Sequence, residues 1–130
     1  MKKICVLPFM HTLVLPNGDI TLCCNSEVRE DMPNVADAGL DNILNNEHHK
    51  HIRAEMLAGR QPDICRRCWD NEKLNIKSYR QQQNFTYLKY FPRLLTTKKD
   101  GTINAGVKYL DVRFNNTCNL KCVMCSSSYS

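Results

Sequence analysis

The placement of eight cysteines constrains this 130-residue chain more than any other feature. They lie at Cys5, Cys23, Cys24, Cys65, Cys68, Cys118, Cys122 and Cys125. The apolar stretch after Met1 is interrupted by Pro8, His11 and Pro16 and has no small-residue cleavage site, which argues against a secretory signal peptide. We therefore expect a reducing, cytoplasmic compartment, in which clustered cysteines bind metal rather than form disulfides.

The length and the charge of the chain limit the number of domains and the classes of partner. A chain of this length holds one modest domain, or one domain and part of another. The formal net charge of +5 clusters at residues 50–53, 66–67 and 98–99, where a solvated surface is a better interpretation than a site for an acidic partner. No segment approaches the length of a membrane span, and no stretch resembles a nucleic-acid-binding module.

The last three cysteines lie in the run CNLKCVMC and have the spacing C-x3-C-x2-C. Three thiolates this close together can bind three irons of a cubane 4Fe–4S cluster and leave the fourth iron open to another ligand. A structural zinc site normally takes four ligands, and no Cys or His follows Cys125. A partial zinc site and reduced structural thiols are the alternatives.

The CNLKCVMC run resembles the cluster motif of the radical S-adenosylmethionine (radical SAM) enzymes. Its context agrees, because residues 107–114 alternate well enough to form a strand and residues 115–117 then break that strand into a loop. By this resemblance Cys118, Cys122 and Cys125 hold the SAM-binding 4Fe–4S cluster.

The resemblance implies an enzyme that cleaves S-adenosyl-L-methionine (SAM) reductively to a 5′-deoxyadenosyl radical, which abstracts hydrogen from a substrate. It implies three partners: SAM, an unknown peptide or small-molecule substrate, and an electron donor such as a flavodoxin or ferredoxin. A radical SAM core is a partial barrel of repeated strand–helix units, of which this chain holds the first strand and the cluster loop. We therefore expect an N-terminal fragment that is inactive alone and whose barrel strand has no parallel neighbour.

The remaining cysteines form a second pattern, C-x12-G-x4-C from Cys5 through Gly18 to Cys23, followed after a gap by the pair Cys65 and Cys68. This pattern resembles the auxiliary-cluster segment of SPASM and twitch domains, which accompany many radical SAM enzymes. The resemblance implies that these four cysteines bind a second, auxiliary 4Fe–4S cluster. A zinc site suits the spacing equally well. SPASM and twitch segments usually follow the radical SAM barrel, whereas this segment precedes the radical SAM motif.

Local signals distinguish the four cysteines from Cys24. The Asn-Gly pair at residues 17–18 predicts a hairpin turn that brings Cys5 and Cys23 to one side. Neighbouring residues of a strand point to opposite faces, so we expect Cys24 to face away as a small buried hydrophobe. The C-x2-C pair is placed at the start of a helix, whose amide-rich end favours thiolates.

The predicted fold class is α+β: a small cysteine-rich domain of a hairpin plus helices, followed by the first strand and cluster loop of a truncated (β/α) partial barrel. Residues 4–24 are expected to form the two hairpin strands. One helix, capped by Asp41, ends near Gly59, and a second runs from Asp63 towards Gln83.

Two domains are expected, an auxiliary Fe–S domain at residues 1–100 and the start of the radical SAM core at residues 101–130. The boundary is placed in residues 85–106, which mix aromatic residues with a turn signal. The competing function is a non-enzymatic module in which zinc or an Fe–S cluster stabilises a small domain.

Several polar and aromatic residues allow two interpretations. Ser78 and Arg80 resemble polar positions common in twitch-like sequences, but helix surface is the favoured interpretation. Trp69 either shields a cluster from water or belongs to the core. His48 and His51 share a helix face, which is better explained as an amphipathic surface than as a metal site.

Overall fold

A computed structural model describes residues 3–39, 42–104 and 106–115 of the chain. These residues form a small α+β domain, as predicted, and within them there are five α-helices and one three-stranded sheet. The strands are β1 (His11–Val14), β2 (Ile20–Thr21) and β3 (Tyr109–Val112), and the helices are α1 (Val35–Ala38), α2 (Glu47–Leu57), α3 (Arg66–Lys73), α4 (Tyr79–Thr86) and α5 (Pro92–Leu95). Short 3₁₀ turns cover Leu7–Phe9, Ile43–Asn45, Asp63–Cys65 and Leu88–Tyr90.

The predicted hairpin forms, although its strands are shorter than expected. β1 pairs antiparallel with β2, and Val14 lies opposite Ile20. The turn between them needs Gly18, whose φ of +88° favours glycine and whose added Cβ would lie 2.8 Å from Asn34 Oδ1. Residues before β1 bend into a 3₁₀ turn that contains Pro8, which has no N–H to give to a sheet.

The expectation that the strand after residue 107 has no parallel neighbour is wrong. β3 pairs in parallel with β1, which gives the sheet order β2-β1-β3. At the start of this pairing Tyr109 lies opposite His11, and their ring centroids are 4.4 Å apart. β1 is therefore buried at the centre of the sheet, whereas β3 leaves Leu110 and Val112 exposed.

The first long helix begins later than predicted. Asn46 caps α2, because its side chain accepts a hydrogen bond of 2.8 Å from the His49 amide. The predicted cap, Asp41, lies outside the described residues. The helix ends at Leu57, and Gly59 follows with a φ of +75°, in the predicted order.

The helix predicted from Asp63 towards Gln83 is two helices. α3 ends at Lys73, and Asn75 then takes a φ of +58°, which breaks the helical path. Ser78 starts α4 with a capping box, in which its hydroxyl and the Gln81 side chain each bond the other residue's amide. The break turns α4 back towards the N-terminal segment.

A buried arginine connects the first long helix with two other parts of the chain. Arg53 on α2 is fully buried and donates to the carbonyl oxygens of Gly101 (2.5 Å) and Pro8 (2.9 Å) and to Asn45 Oδ1 (3.1 Å). The turn at residues 98–101 is present as predicted, closed by a bond of 2.9 Å from the Gly101 amide to the Lys98 carbonyl. Across the described residues, no helix combines the length and the apolar character that crossing a bilayer requires.

Candidate metal centre

Four cysteine side chains line one small pocket. Cys5, Cys23, Cys65 and Cys68 share its wall with Leu7, Asn25, Ser26, Tyr79 and Arg80. None of the four is in a disulfide. The free volume between them is about 20 Å³, which is about the space of one water molecule. The structure therefore brings together the four cysteines that the second sequence pattern predicted as ligands.

A tight loop after β2 directs Cys23 into the pocket. Ser26 Oγ donates to the Cys23 carbonyl at 2.7 Å and accepts from the Cys23 amide at 3.3 Å. Cys24 is exposed, and its sulfur is hydrogen-bonded to the Tyr79 side chain. The prediction that Cys24 is a buried hydrophobe is therefore wrong, because the chain leaves the strand geometry after β2 and places Cys24 at the surface.

The C-x2-C pair is positioned by the entry into α3. Cys65 ends a 3₁₀ turn and Cys68 lies in the first turn of the helix, as the sequence predicted. Trp69 is buried and its indole Nε1 donates to the Pro62 carbonyl at 3.0 Å. Trp69 is thus a core residue that fixes the helix against the loop before it.

Burial dominates the electrostatics of the four thiols. It raises the pKa of Cys23 to about 11 and that of Cys65 to about 12, and it is also the largest cause of the raised pKa of Cys5 and of Cys68. A negative charge on Cys23 would raise the pKa of Cys5 and Cys65 further. The thiols are therefore protonated at neutral pH unless a cation compensates for the thiolate charge.

Backbone N–H groups oppose the effect of burial at three of the sulfurs, and each lowers the pKa of the thiol to which it is hydrogen-bonded. They belong to Leu7 at Cys5, to Asn25 and Ser26 at Cys23, and to Tyr79 and Arg80 at Cys68. Concave sets of amides and hydrogen bonds to sulfur are features of Fe–S sites. The pocket therefore has donors directed at the atoms that would carry negative charge.

The interpretation of Ser78 and Arg80 as helix surface is wrong, because both are buried. Arg80 donates to both carboxylate oxygens of Glu72, at 3.0 and 2.5 Å, and its guanidinium carbon lies 4.5 Å from the Trp69 ring centroid. The Ser78 hydroxyl donates to Glu72 at 2.5 Å. The charge of Arg80 lowers the pKa of Cys65 and of Cys68. The likeness to twitch sequences was the only sequence signal for these residues.

The three cysteines of the C-terminal motif, Cys118, Cys122 and Cys125, lie outside the described residues. Within residues 3–39, 42–104 and 106–115, no three His, Cys, Asp or Glu side chains form a site for a single metal ion. This absence extends to the histidines of α2. His49 is fully buried, and burial, with the nearby charge of Arg53, lowers its pKa well below the usual value.

Comparison with known proteins identifies one family. No curated protein and no solved structure matches the chain. The SPASM family model, described as an iron-sulfur cluster-binding domain, matches residues 5–69, which are half of the chain. The matched range begins at Cys5 and contains Cys23, Cys65 and Cys68. The chain therefore belongs to the SPASM family of iron-sulfur cluster-binding domains.

Proposed function

We propose that Cys5, Cys23, Cys65 and Cys68 bind one auxiliary 4Fe–4S cluster. The observation that carries this proposal is the convergence of four thiols on one pocket that backbone amides also approach. Four thiolates satisfy the four irons of a cubane, and amide hydrogen bonds to sulfur stabilise its negative charge. The donor set therefore fits an Fe–S cluster.

Loading the pocket requires the four thiols to lose their protons, and burial has raised the pKa of these groups. Because ligation releases these protons, cluster binding is expected to strengthen as the pH rises. With every iron held by the protein, the bound cluster supplies electron transfer rather than a substrate site.

We further propose that the chain belongs to a radical SAM enzyme, with auxiliary residues 1–100 and a core that starts at residue 101. Cys118, Cys122 and Cys125 would hold the cluster that supports reductive cleavage of SAM. Two features support this proposal: the C-x3-C-x2-C spacing and the membership of a family whose domains typically accompany radical SAM enzymes. A cytoplasmic location, an electron-donor protein and a peptide or small-molecule substrate belong to the same proposal.

A second candidate is a non-enzymatic structural module that binds zinc or an Fe–S cluster. The parallel pairing of β3 with β1 favours it, because the strand expected to start a barrel is part of the hairpin sheet. Metal binding in such a module would contribute its free energy directly to folding.

Anaerobic reconstitution with iron and sulfide tests these alternatives. Two cubanes correspond to about eight irons per chain and a brown protein. Replacing the C-terminal cysteines Cys118, Cys122 and Cys125 together by alanine should leave about four irons, held by the pocket. A colourless protein that retains zinc under the same conditions would support the structural module and contradict the auxiliary cluster.

A further inference from the structure

We propose that Arg80 and Asn84 of α4 are positioning residues that hold Cys5 at the metal centre. Together with Glu72, which binds Arg80, these residues form the Cys5 clamp. The identity of the metal rests on the proposed function, whereas the contacts of the clamp are made within the metal-free chain.

Asn84 bonds the backbone on both sides of Cys5. Its Oδ1 accepts from the Val6 amide at 2.8 Å, and its Nδ2 donates to the Ile4 carbonyl at 2.7 Å. A carboxamide has an acceptor and donors at a fixed separation, so it satisfies this pair of backbone groups as a neighbouring strand would. Cys5 is therefore fixed from both of its flanking residues by one side chain.

Arg80 strengthens the same attachment. Its guanidinium donates to the Ile4 carbonyl at 2.5 Å, so this oxygen accepts from both Arg80 and Asn84. The remaining donors of Arg80 bind Glu72 in a pair whose side chains are 6% and 18% exposed. A buried and bidentate pair of this kind holds the guanidinium in one orientation.

Cys5 needs this support more than the other three thiols. Cys65 and Cys68 are held by a 3₁₀ turn and the first turn of α3, and Cys23 by the Ser26 loop. Cys5 precedes the first 3₁₀ turn and belongs to no helix or strand. Loss of the clamp should therefore release one thiol of the pocket and leave the other three in place.

The first arm of the test uses the metal-free, reduced chain, in which iodoacetamide labelling of each cysteine is followed by mass spectrometry. Asn84→Ala should raise the labelling rate of Cys5 by roughly tenfold or more, since two backbone hydrogen bonds are lost. The rates at Cys65 and Cys68 should stay within about twofold of wild type, and the exposed Cys24 serves as the internal standard.

Two further variants make this arm specific. Asn84→Asp keeps the side-chain shape and the acceptor for the Val6 amide but removes the donor to the Ile4 carbonyl, so it should raise the Cys5 rate as well. Gln82→Ala changes an exposed position on the same helix and should have no effect. An unchanged Cys5 rate in both Asn84 variants, or an equal rise at all four pocket thiols, would overturn the clamp.

The second arm measures the reconstituted cluster by electron paramagnetic resonance. The chain used carries alanine at Cys118, Cys122 and Cys125, so that only the pocket contributes to the spectrum. Asn84→Ala should give the spectrum of Cys5→Ala rather than that of wild type, because both variants leave one iron of the cluster without a firmly held protein thiolate. A four-iron spectrum identical to that of wild type would count against the clamp. If wild type itself takes up no iron, the proposed function fails, and the labelling arm still decides the clamp.

Discussion

Replacing Gly101 by alanine is predicted to be the most damaging glycine substitution in the chain. The φ of Gly101 is +86°, and a Cβ added there would lie 2.7 and 2.9 Å from the carbonyl carbon and Cα of Lys50 in α2. Helix backbone does not yield as a flexible side chain does, so the turn has to withdraw. Withdrawal breaks the 2.5 Å bond from Arg53 Nε to the Gly101 carbonyl.

The magnitude follows from two contributions. A left-handed φ at a non-glycine residue costs about 1–2 kcal/mol. Loss of a hydrogen bond to a buried charged group adds about 1.5–3 kcal/mol, which gives a total of about 2.5–5 kcal/mol. This is a large part of the stability of a small domain.

Two other glycines separate these contributions. Gly59 has a φ of +75° with no heavy atom within 4 Å of an added Cβ, so Gly59→Ala should cost only the conformational part, about 1 kcal/mol. Gly106 also has no heavy atom within 4 Å of an added Cβ, so Gly106→Ala should avoid the backbone clash that Gly101→Ala creates.

The assay is thermal unfolding followed by the fluorescence of Trp69, the single tryptophan, which reports on the cysteine-rich part of the chain. Gly101→Ala should lower the melting temperature by roughly 10 °C or more, against a few degrees for Gly59→Ala. Equal melting temperatures for these two variants would refute the contact between the turn and α2. An unchanged Trp69 transition in Gly101→Ala would show that the cysteine-rich part is stable without this contact.

Two further predictions concern the metal centre and pH. Cys23→Ser should reduce the iron bound after reconstitution, whereas Cys24→Ser should bind as much iron as wild type; equal losses would contradict the assignment of Cys23 to the pocket. Burial lowers the pKa of His49 well below 6.5, so the unfolded chain binds the additional proton. The contribution of His49 to the free energy of unfolding is therefore fully present above about pH 6.5. It falls by up to about 1.4 kcal/mol for each pH unit below that value. His49→Gln should therefore flatten the fall in melting temperature between about pH 7 and pH 5, and the exposed control His51→Gln should retain it.

Elements that depend on nearby residues could be predicted from the sequence. The Asn-Gly turn, the end of α2 at Leu57 and the turn closed by Gly101 each follow from glycine conformation or local hydrogen bonds. The start of α2 was placed too early because a 3₁₀ turn at Ile43–Asn45 precedes it and Asn46, rather than an acidic residue, is its cap. Helix boundaries depend on such competition between neighbouring caps.

The break between α3 and α4 is the error with the greatest consequence for the site. The run from Asp63 to Gln83 has no glycine or proline to stop a helix, and its local signals for a break are Asn75 and the capping box that begins at Ser78. The break reverses the chain so that Arg80 and Asn84 reach the backbone on either side of Cys5. These contacts join residues that are far apart in the sequence, so local helix propensity does not predict them.

Residue type and spacing alone indicate the chemistry that is available to this protein. The cysteine spacings C-x12-G-x4-C and C-x2-C indicate a cysteine-rich metal domain, and a strong hairpin turn lies between Cys5 and Cys23. The environment of those thiols depends on tertiary contacts. These contacts set which backbone amides approach the sulfurs, how far burial raises the pKa of the thiols, and that Arg80 is buried beside them. Tertiary contacts also place β3 in the hairpin sheet. The physical reason is that residue type and spacing set which ligands are available, whereas burial and parallel strand pairing depend on segments brought together by the whole fold.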